Sequence, residues 1–243
     1  MTEMLDRIAG ICEATDLPVI ADADSGYGNP LNVRRTVREW ERAGVAALHL
    51  EDQVTPKKCG HYEGKALISP EETVQKIRAA VDARRGGVLI IARTDARAVD
   101  GLDAALARAR AYRDAGADVL FVQAPQSVGE IETIARTLPG PLVINVFAGG
   151  KTPVVSAHEL DRMGYRLAIY PSELQRTVLY AMLACGRHLR ETGTVEGFAQ
   201  VVSFQDRESL VDADQWAALD ARYAREGHPW TRNRATDRWS LDA

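Results

Sequence analysis

The chain has 243 residues, 46% hydrophobic and 26% charged, and its 30 Lys plus Arg against 34 Asp plus Glu leave a formal net charge of −4. These are the proportions of an ordinary globular chain, and they exclude a disordered, collagenous or coiled-coil class. The mildly acidic balance gives no electrostatic reason to expect nucleic acid or an anionic membrane as partner, and no apolar run approaches the roughly 20 residues of a membrane span.

The chain opens on a helix, Thr2 to Thr15, with acids and an arginine in place of a secretory leader. Apolar runs of strand length then alternate with amphipathic stretches of helix length. The predicted strands are 18–24, 45–52, 88–96, 118–125, 141–147 and 166–171, short, rich in Val, Ile, Leu and Ala, and without a polar face. Predicted helices lie near 30–43, 70–84, 101–115, 127–137 and 155–163, with a longer one at 172–191. Ser69-Pro70-Glu71-Glu72 reads as an N-cap, a proline at the first helical position and acids in the first turn. Gly44 and Gly116 stand where a helix stops and the next strand begins. Strict alternation implies a parallel sheet with right-handed crossovers. The expected organisation is a β/α barrel domain over 1–191 and a polar helical appendage over 192–243. Cys12, Cys59 and Cys185 are scattered and odd in number, which points to a reducing cytoplasm; Cys12 and Cys185 read as small helix hydrophobes. His158, His188 and His228 read as structural or solvated.

Ligand sites of parallel α/β folds form at the carboxyl ends of the strands, and the polar residues cluster there. The first strand ends in Asp22-Ala-Asp24-Ser-Gly-Tyr27-Gly28-Asn29, the second in His49-Leu-Glu51-Asp52 and the third in Arg93-Thr-Asp95, while the next two reach Gln123 and Asn145. The two-residue strand period puts Asp22 with Asp24, His49 with Glu51 and Arg93 with Asp95 on common faces. Carboxylates gathered in one strand-end pocket repel unless a cation sits among them, and oxygen ligands without a His or Cys pair favour Mg²⁺ or Mn²⁺ over zinc. Asp22, Asp24 and Glu51 are the candidate metal residues. For Asp52 and Asp95, a metal role and a structural one, capping helices or pairing with Arg93, stand side by side.

The stretch 53–68 is long for a βα loop, as lids and binding loops are. It carries Lys57-Lys58-Cys59-Gly60-His61, a thiol flanked by lysines, and cations beside a thiol lower its pKa toward a value useful for proton transfer. Asn145 to Thr152 follows a strand and mimics a phosphate-binding loop, but Asn145 replaces its first glycine and Pro153 blocks the helix that should follow.

Asp22-Ala-Asp-Ser-Gly-Tyr-Gly-Asn29, Leu50-Glu-Asp-Gln53, Lys57-Lys-Cys-Gly-His61 and Ala92-Arg-Thr-Asp-Ala96, in that order, resemble the isocitrate lyase/phosphoenolpyruvate mutase superfamily. The resemblance runs from about Met1 to Tyr170 and implies a TIM-type (β/α)8 barrel. Members are usually homotetramers, dimers of dimers whose paired subunits exchange their last helix. They use Mg²⁺ to make or break bonds beside an α-keto or α-hydroxy carboxylate. The KKCGH loop is similar to that of the carbon–carbon lyases acting on small di- or tricarboxylic acids such as methylisocitrate and dimethylmalate.

By the same resemblance, Asp22 contacts Mg²⁺ directly and Asp24 and Glu51 through its waters. Arg93 holds the substrate carboxylate or the developing enolate. Cys59, on a mobile lid and tuned by His61 and Lys58, protonates the enolate carbon. Tyr27, Gly28, Gln123 and Asn145 join Arg93 in binding substrate, with the Gly149–Thr152 turn helping at a second carboxylate. Gln123 stands where relatives usually carry a glutamate, and Ala148 where many carry another acid. Six strands also imply that about two N-terminal β/α units of the barrel have no counterpart here. The alternatives are an oxaloacetate-type decarboxylase or hydrolase, a phosphonate-acting member, or a member impaired or without catalysis.

Overall fold

A computed structural model describes residues 1–224 and the short strands Arg232–Asn233 and Arg238–Trp239; His228 lies outside the described residues. The chain divides into two compact units, Met1–Thr177 and Val178–Ala243.

The first unit opens on α1 (Thr2–Glu13) and then runs through six β/α units. Its strands are β1 (Ile20–Asp22), β2 (Ala47–Glu51), β3 (Leu89–Thr94), β4 (Val119–Val122), β5 (Leu142–Asn145) and β6 (Leu167–Ile169). They form one parallel sheet in sequence order with β1 and β6 at its edges. Among the described residues no further strand joins that sheet, so six of the eight barrel positions are present, as the strand count predicts. The helices after the strands are α2 (Pro30–Arg42), α3 (Pro70–Ala83), α4 (Leu102–Asp114), α5 (Val128–Thr137), α6 (Ala157–Met163) and α7 (Glu173–Thr192).

Local chemistry sets these boundaries. The Asn29 side chain accepts from the backbone N–H of Leu31 and Asn32 ahead of Pro30, and the Ser69 hydroxyl accepts from Glu72 N ahead of Pro70. Gly44 and Gly116 take φ of +96° and +103° just past α2 and α4, a turn in which a Cβ would be strained.

The strand period sorts side chains into two layers. Leu48, Leu50, Ile90, Leu120 and Ile144 pack outward against the helices with Trp40, Ile77, Tyr112 and Ile134. Ala47, Ile91, Val119 and Val143 point to the other face and fill its lower part. One pleat further on, that same inner face carries His49 and Glu51, Arg93, Phe121 and Asn145. Burying the apolar layers therefore commits these polar side chains to one place at the carboxyl ends of the strands.

In the second unit lie α8 (Phe204–Leu210) and α9 (Ala213–Tyr223), and α7 crosses the division between the units. None of α7, α8 and α9 buries a residue. Cys12 packs beside the core of α2, while Cys12 and Cys185 are only half-buried. His158 is exposed and His188 Nε2 lies 3.0 Å from Glu196 O, so both have surface roles. Among the described residues no helix is long and apolar enough to cross a membrane.

Candidate active site

A cavity of about 500 Å³ opens at the strand ends, lined by Asp22, His49, Lys57, Cys59, Gly60 and His61 on one side. Arg93, Phe121, Gln123, Asn145, Phe147, Ile169, Pro171 and Ser172 complete it. Sheet register builds its floor: Asp22 lies opposite His49, Glu51 opposite Arg93, and Arg93 opposite Phe121.

The carboxylates of Asp22, Asp24 and Glu51 converge, but the cation among them is Lys57. Its Nζ lies 2.8 Å from Asp24, 3.4 Å from Asp22 and 3.8 Å from Glu51. Burial would lower the Lys57 pKa, yet the three acids outweigh it and push it up to about 12. Sequence reasoning placed this lysine beside Cys59; its carboxylate contacts become visible only once the loop is folded back over β1. Among the described residues no three His, Cys, Asp or Glu side chains form a ready-made metal cage. The three acids still suit a hard divalent cation, because all their donors are oxygens and Mg²⁺ keeps several of its waters. Burial pushes Glu51 up to about 7 in spite of Arg93 and Lys57. Its Oε2 has no hydrogen-bond partner, although Arg93 Nη1 stands 3.2 Å away. A further positive charge there would relieve an under-compensated buried carboxylate. For Asp22, burial is outweighed by surrounding charges, Lys57 among them, and by the N–H of Asp24 at 2.8 Å, which hold the carboxyl below its ordinary value. Burial holds the His49 imidazole below its usual value, and its Nδ1 lies 3.7 Å from Asp22.

Arg93 is buried and gripped from behind. Its Nε donates to Asp95 Oδ2 at 2.8 Å, Nη2 lies 3.2 Å from Asp95 Oδ1, and its guanidinium sits 5.4 Å from the Phe121 ring centroid. Asp52 and Asp95 have the structural role that the sequence left open. Fully buried Asp52 accepts from Thr94 Oγ1 at 2.7 Å, Asp95 N at 2.9 Å and Tyr112 OH at 2.8 Å. It thereby pins the β3 end that carries Arg93.

The loop after β2 folds back as a strap. Val54 N donates to Ala66 O and Ile68 N to Asp52 O, and the Gln53 amide holds both the N–H and the C=O of Lys58. Lys58 Nζ donates to Gly64 O at 2.7 Å, and the residue is not part of the cavity wall. Adjacency along a loop does not by itself fix where a long side chain ends.

At the loop tip, Gly60 passes so close that a Cβ would lie 2.6 Å from the Gln123 amide and 2.7 Å from Arg93 Nη2. His61 reaches the loop after β5. Its Nδ1 accepts from Lys151 N at 3.1 Å and its ring lies 4.9 Å from that of Phe147, while Lys151 pairs with Glu63. Burial, with Lys65 and Arg93 nearby, lowers the His61 pKa, so the ring is neutral and carries its proton on Nε2, which has no protein partner. His61 thus joins the 53–68 loop to the loop after β5.

Gln123 and Asn145 meet across the floor, Asn145 Nδ2 donating to Gln123 Oε1 at 3.1 Å; the buried Gln123 Nε2 is left unpaired. Tyr27 and Gly28 do not line the cavity. The Tyr27 ring packs edge-on against Trp40 at 5.9 Å in the core of α2, and Gly28 takes φ of +142° against Asn32. Their turn leads into the α2 cap, and the Tyr27 hydroxyl, buried without a hydrogen-bond partner, stays near the acids: burial with Asp24 and Asp22 pushes it up to about 12. Of the expected site residues, the cavity wall gathers Asp22, Cys59, His61, Arg93, Gln123 and Asn145, with Asp24 and Glu51 tied to it through Lys57.

Residues 1–190 match the family model described as phosphoenolpyruvate phosphomutase. The 2,3-dimethylmalate lyase of Eubacterium barkeri is 44% identical over 226 residues, which cover 92% of this chain and 78% of that protein. The 2-methylisocitrate lyase of Aeropyrum pernix is 50% identical over 194 residues, covering 80% of this chain and 63% of that protein, less than two thirds of its length. A crystal structure of 2,3-dimethylmalate lyase superposes with a TM-score of 0.86 at 37% identity, covering 93% of this chain and 76% of that one.

Proposed function

The chain belongs to the phosphoenolpyruvate mutase/isocitrate lyase superfamily, and on that premise we propose that it is a Mg²⁺-dependent carbon–carbon lyase. Its substrate is a small 2-hydroxy di- or tricarboxylic acid of the methylisocitrate or dimethylmalate kind, cleaved to a keto acid and a carboxylic acid. The observation that carries this reading is the meeting, around one cavity, of three carboxylates, a buried guanidinium and a loop-borne thiol.

Asp22, Asp24 and Glu51 would hold the cation, which when bound supplies Lewis-acid stabilisation of oxygen charge. Arg93 is a cation with a fixed plane, since Asp95 grips it from the side away from the cavity. That suits it to a substrate carboxylate or to the oxygens of the aci-carboxylate formed when the bond beside the hydroxyl-bearing carbon breaks. Cys59 donates its proton to the carbon of that aci-carboxylate, and the proton that the substrate hydroxyl gives up as its carbon becomes the carbonyl restores the thiol by way of solvent. Loop 53–68, tied down through His61 and Lys151, excludes water so that the carbanion equivalent meets that donor. Gln123 and Asn145 present amides to a further carboxylate.

The same reading makes the protein a homo-oligomer working in the cytoplasm. The oligomeric part is supported by the large apolar side chains that α7, α8 and α9 leave exposed, Met182, Leu183, Phe204 and Trp216 among them.

The test is pyruvate release from 2-methylisocitrate or 2,3-dimethylmalate with Mg²⁺, read by coupling to lactate dehydrogenase. Cys59→Ser should abolish cleavage and leave Mg²⁺ binding by calorimetry nearly intact. Retained turnover in Cys59→Ser removes the proton-donor assignment. Failure of Mg²⁺ to bind removes the metal from the proposal.

A further inference from the structure

Lys65 was not singled out by its sequence context, and none of the roles above uses it. Its side chain is 1% exposed and its carboxylate partner, Asp95, is 0% exposed. Nζ donates to Asp95 Oδ1 at 2.8 Å and to the carbonyl of Gly60 at 2.5 Å. A buried ammonium is costly unless it is paired and hydrogen-bonded, and here each partner has a separate tie to the site. Gly60 follows Cys59 directly at the loop tip. Asp95 uses the same Oδ1 toward Arg93 Nη2 and its Oδ2 toward Arg93 Nε.

We propose that Lys65 is a positioning residue that couples the closed loop to Arg93: one ammonium holds the loop tip through Gly60 O and, through Asp95, fixes the plane of the guanidinium. The geometry makes the two events interdependent. Gly60 O meets Nζ with the tip seated over Gln123 and Arg93, where a Cβ at position 60 has no room. With the tip displaced, Lys65 keeps a single partner in a buried place, and Asp95 shares its charge with Arg93 under altered geometry. Loop closure and orientation of the substrate-holding cation are then one transition, which brings Cys59 and Arg93 to their stations together. Lys65 touches neither substrate nor reacting atoms. The functional part of the inference rests on the lyase reading, whereas the structural coupling does not.

The experiment uses the full chain with Lys65→Met, which keeps the volume and removes the charge, and Lys65→Arg, which keeps a cation with several donors. Hydrogen–deuterium exchange is measured without substrate. Lys65→Met should speed exchange in the 57–63 segment about tenfold or more and leave the amides of α3 and α4 unchanged, while Lys65→Arg should stay near the parent. In pyruvate release, Lys65→Met should lower kcat about 100-fold, the scale of an ångström-sized misplacement, and Lys65→Arg should recover most of it. If Lys65→Met does not fold, Lys65→Gln, one atom too short to bridge both partners, carries the same measurements. Unchanged exchange at 57–63 in a folded variant overturns the coupling, and so does acceleration spread evenly over the chain. Parent protein that releases no pyruvate, with the exchange result as expected, overturns the lyase reading and leaves the coupling standing.

Discussion

Asp52→Ala provides the sharpest measure of how the β3 end is held. The Asp52 carboxylate is 0% exposed and accepts from Thr94 Oγ1, Asp95 N and Tyr112 OH at 2.7–2.9 Å, with Arg108 Nη1 at 3.3 Å. Truncation does not strand these donors equally. Arg108 retains the carbonyl of Ile68 at 3.0 Å and the Tyr112 oxygen at 3.3 Å, but the Tyr112 O–H, which donated to Asp52, loses its acceptor. Thr94 Oγ1 and Asp95 N lose their acceptor at a place without water access. An unsatisfied buried donor costs about 1–3 kcal/mol, and breaking a buried charged network costs about 3–5 kcal/mol, so Asp52→Ala should lose about 3–5 kcal/mol. That is a large share of a typical total of about 5–15 kcal/mol. Tyr112→Phe removes one donor and leaves no orphaned carboxylate, and should cost about 0.5–1.5 kcal/mol. Urea unfolding at pH 7, followed by circular dichroism, reads both. A loss below about 1 kcal/mol for Asp52→Ala would show that the network does not anchor β3, and the account of how Arg93 is positioned would fall with it.

Gly60→Ala should displace the loop tip, because its Cβ would stand 2.6–2.7 Å from the Gln123 amide and Arg93. Pyruvate release should fall about 100-fold while the unfolding midpoint moves little, since the loop can swing outward; full activity would refute the close approach. Asp95 is pushed up by burial but held below its ordinary value by Arg93 and Lys65. Its folded pKa is thus below the unfolded value of about 3.9, so its stabilisation is present above that value and disappears as pH falls through the folded one. Thermal melts between pH 7 and pH 2 should show an acid-side loss that is smaller in Asp95→Asn, and identical slopes would refute the assignment. Trp40, 0% exposed beside Tyr27, should cost about 3–5 kcal/mol when replaced by Ala, read by the same urea titration; a loss under about 1 kcal/mol would deny it a core role.

The six β/α units were legible in the chain because the signals that make them are local. Short apolar runs such as Val88–Ile91, caps such as Ser69-Pro70 and post-helical glycines such as Gly116 act within a few residues of where they stand. Strand period also determined which residues share the inner face, and the rule that sites form at carboxyl strand ends then singled out Asp22, Glu51, Arg93, Gln123 and Asn145. The destinations of long side chains on the 53–68 loop were not legible. Lys57, Lys58 and Lys65 look alike in sequence, yet one enters the carboxylate group, one closes a local turn and one is buried against Asp95. Tyr27 and Gly28, adjacent to the acidic motif, pack at the start of α2 outside the cavity lining, with the Tyr27 hydroxyl near Asp24 and Asp22. Asp52 and Asp95, undecided in the sequence, became anchors once β3 lay beside β2. The physical reason is common to all of them. A flexible four-carbon stem or a strand-end carboxylate finds its partner by burial and charge among elements tens of residues away, and only the packed sheet brings those partners within hydrogen-bond reach.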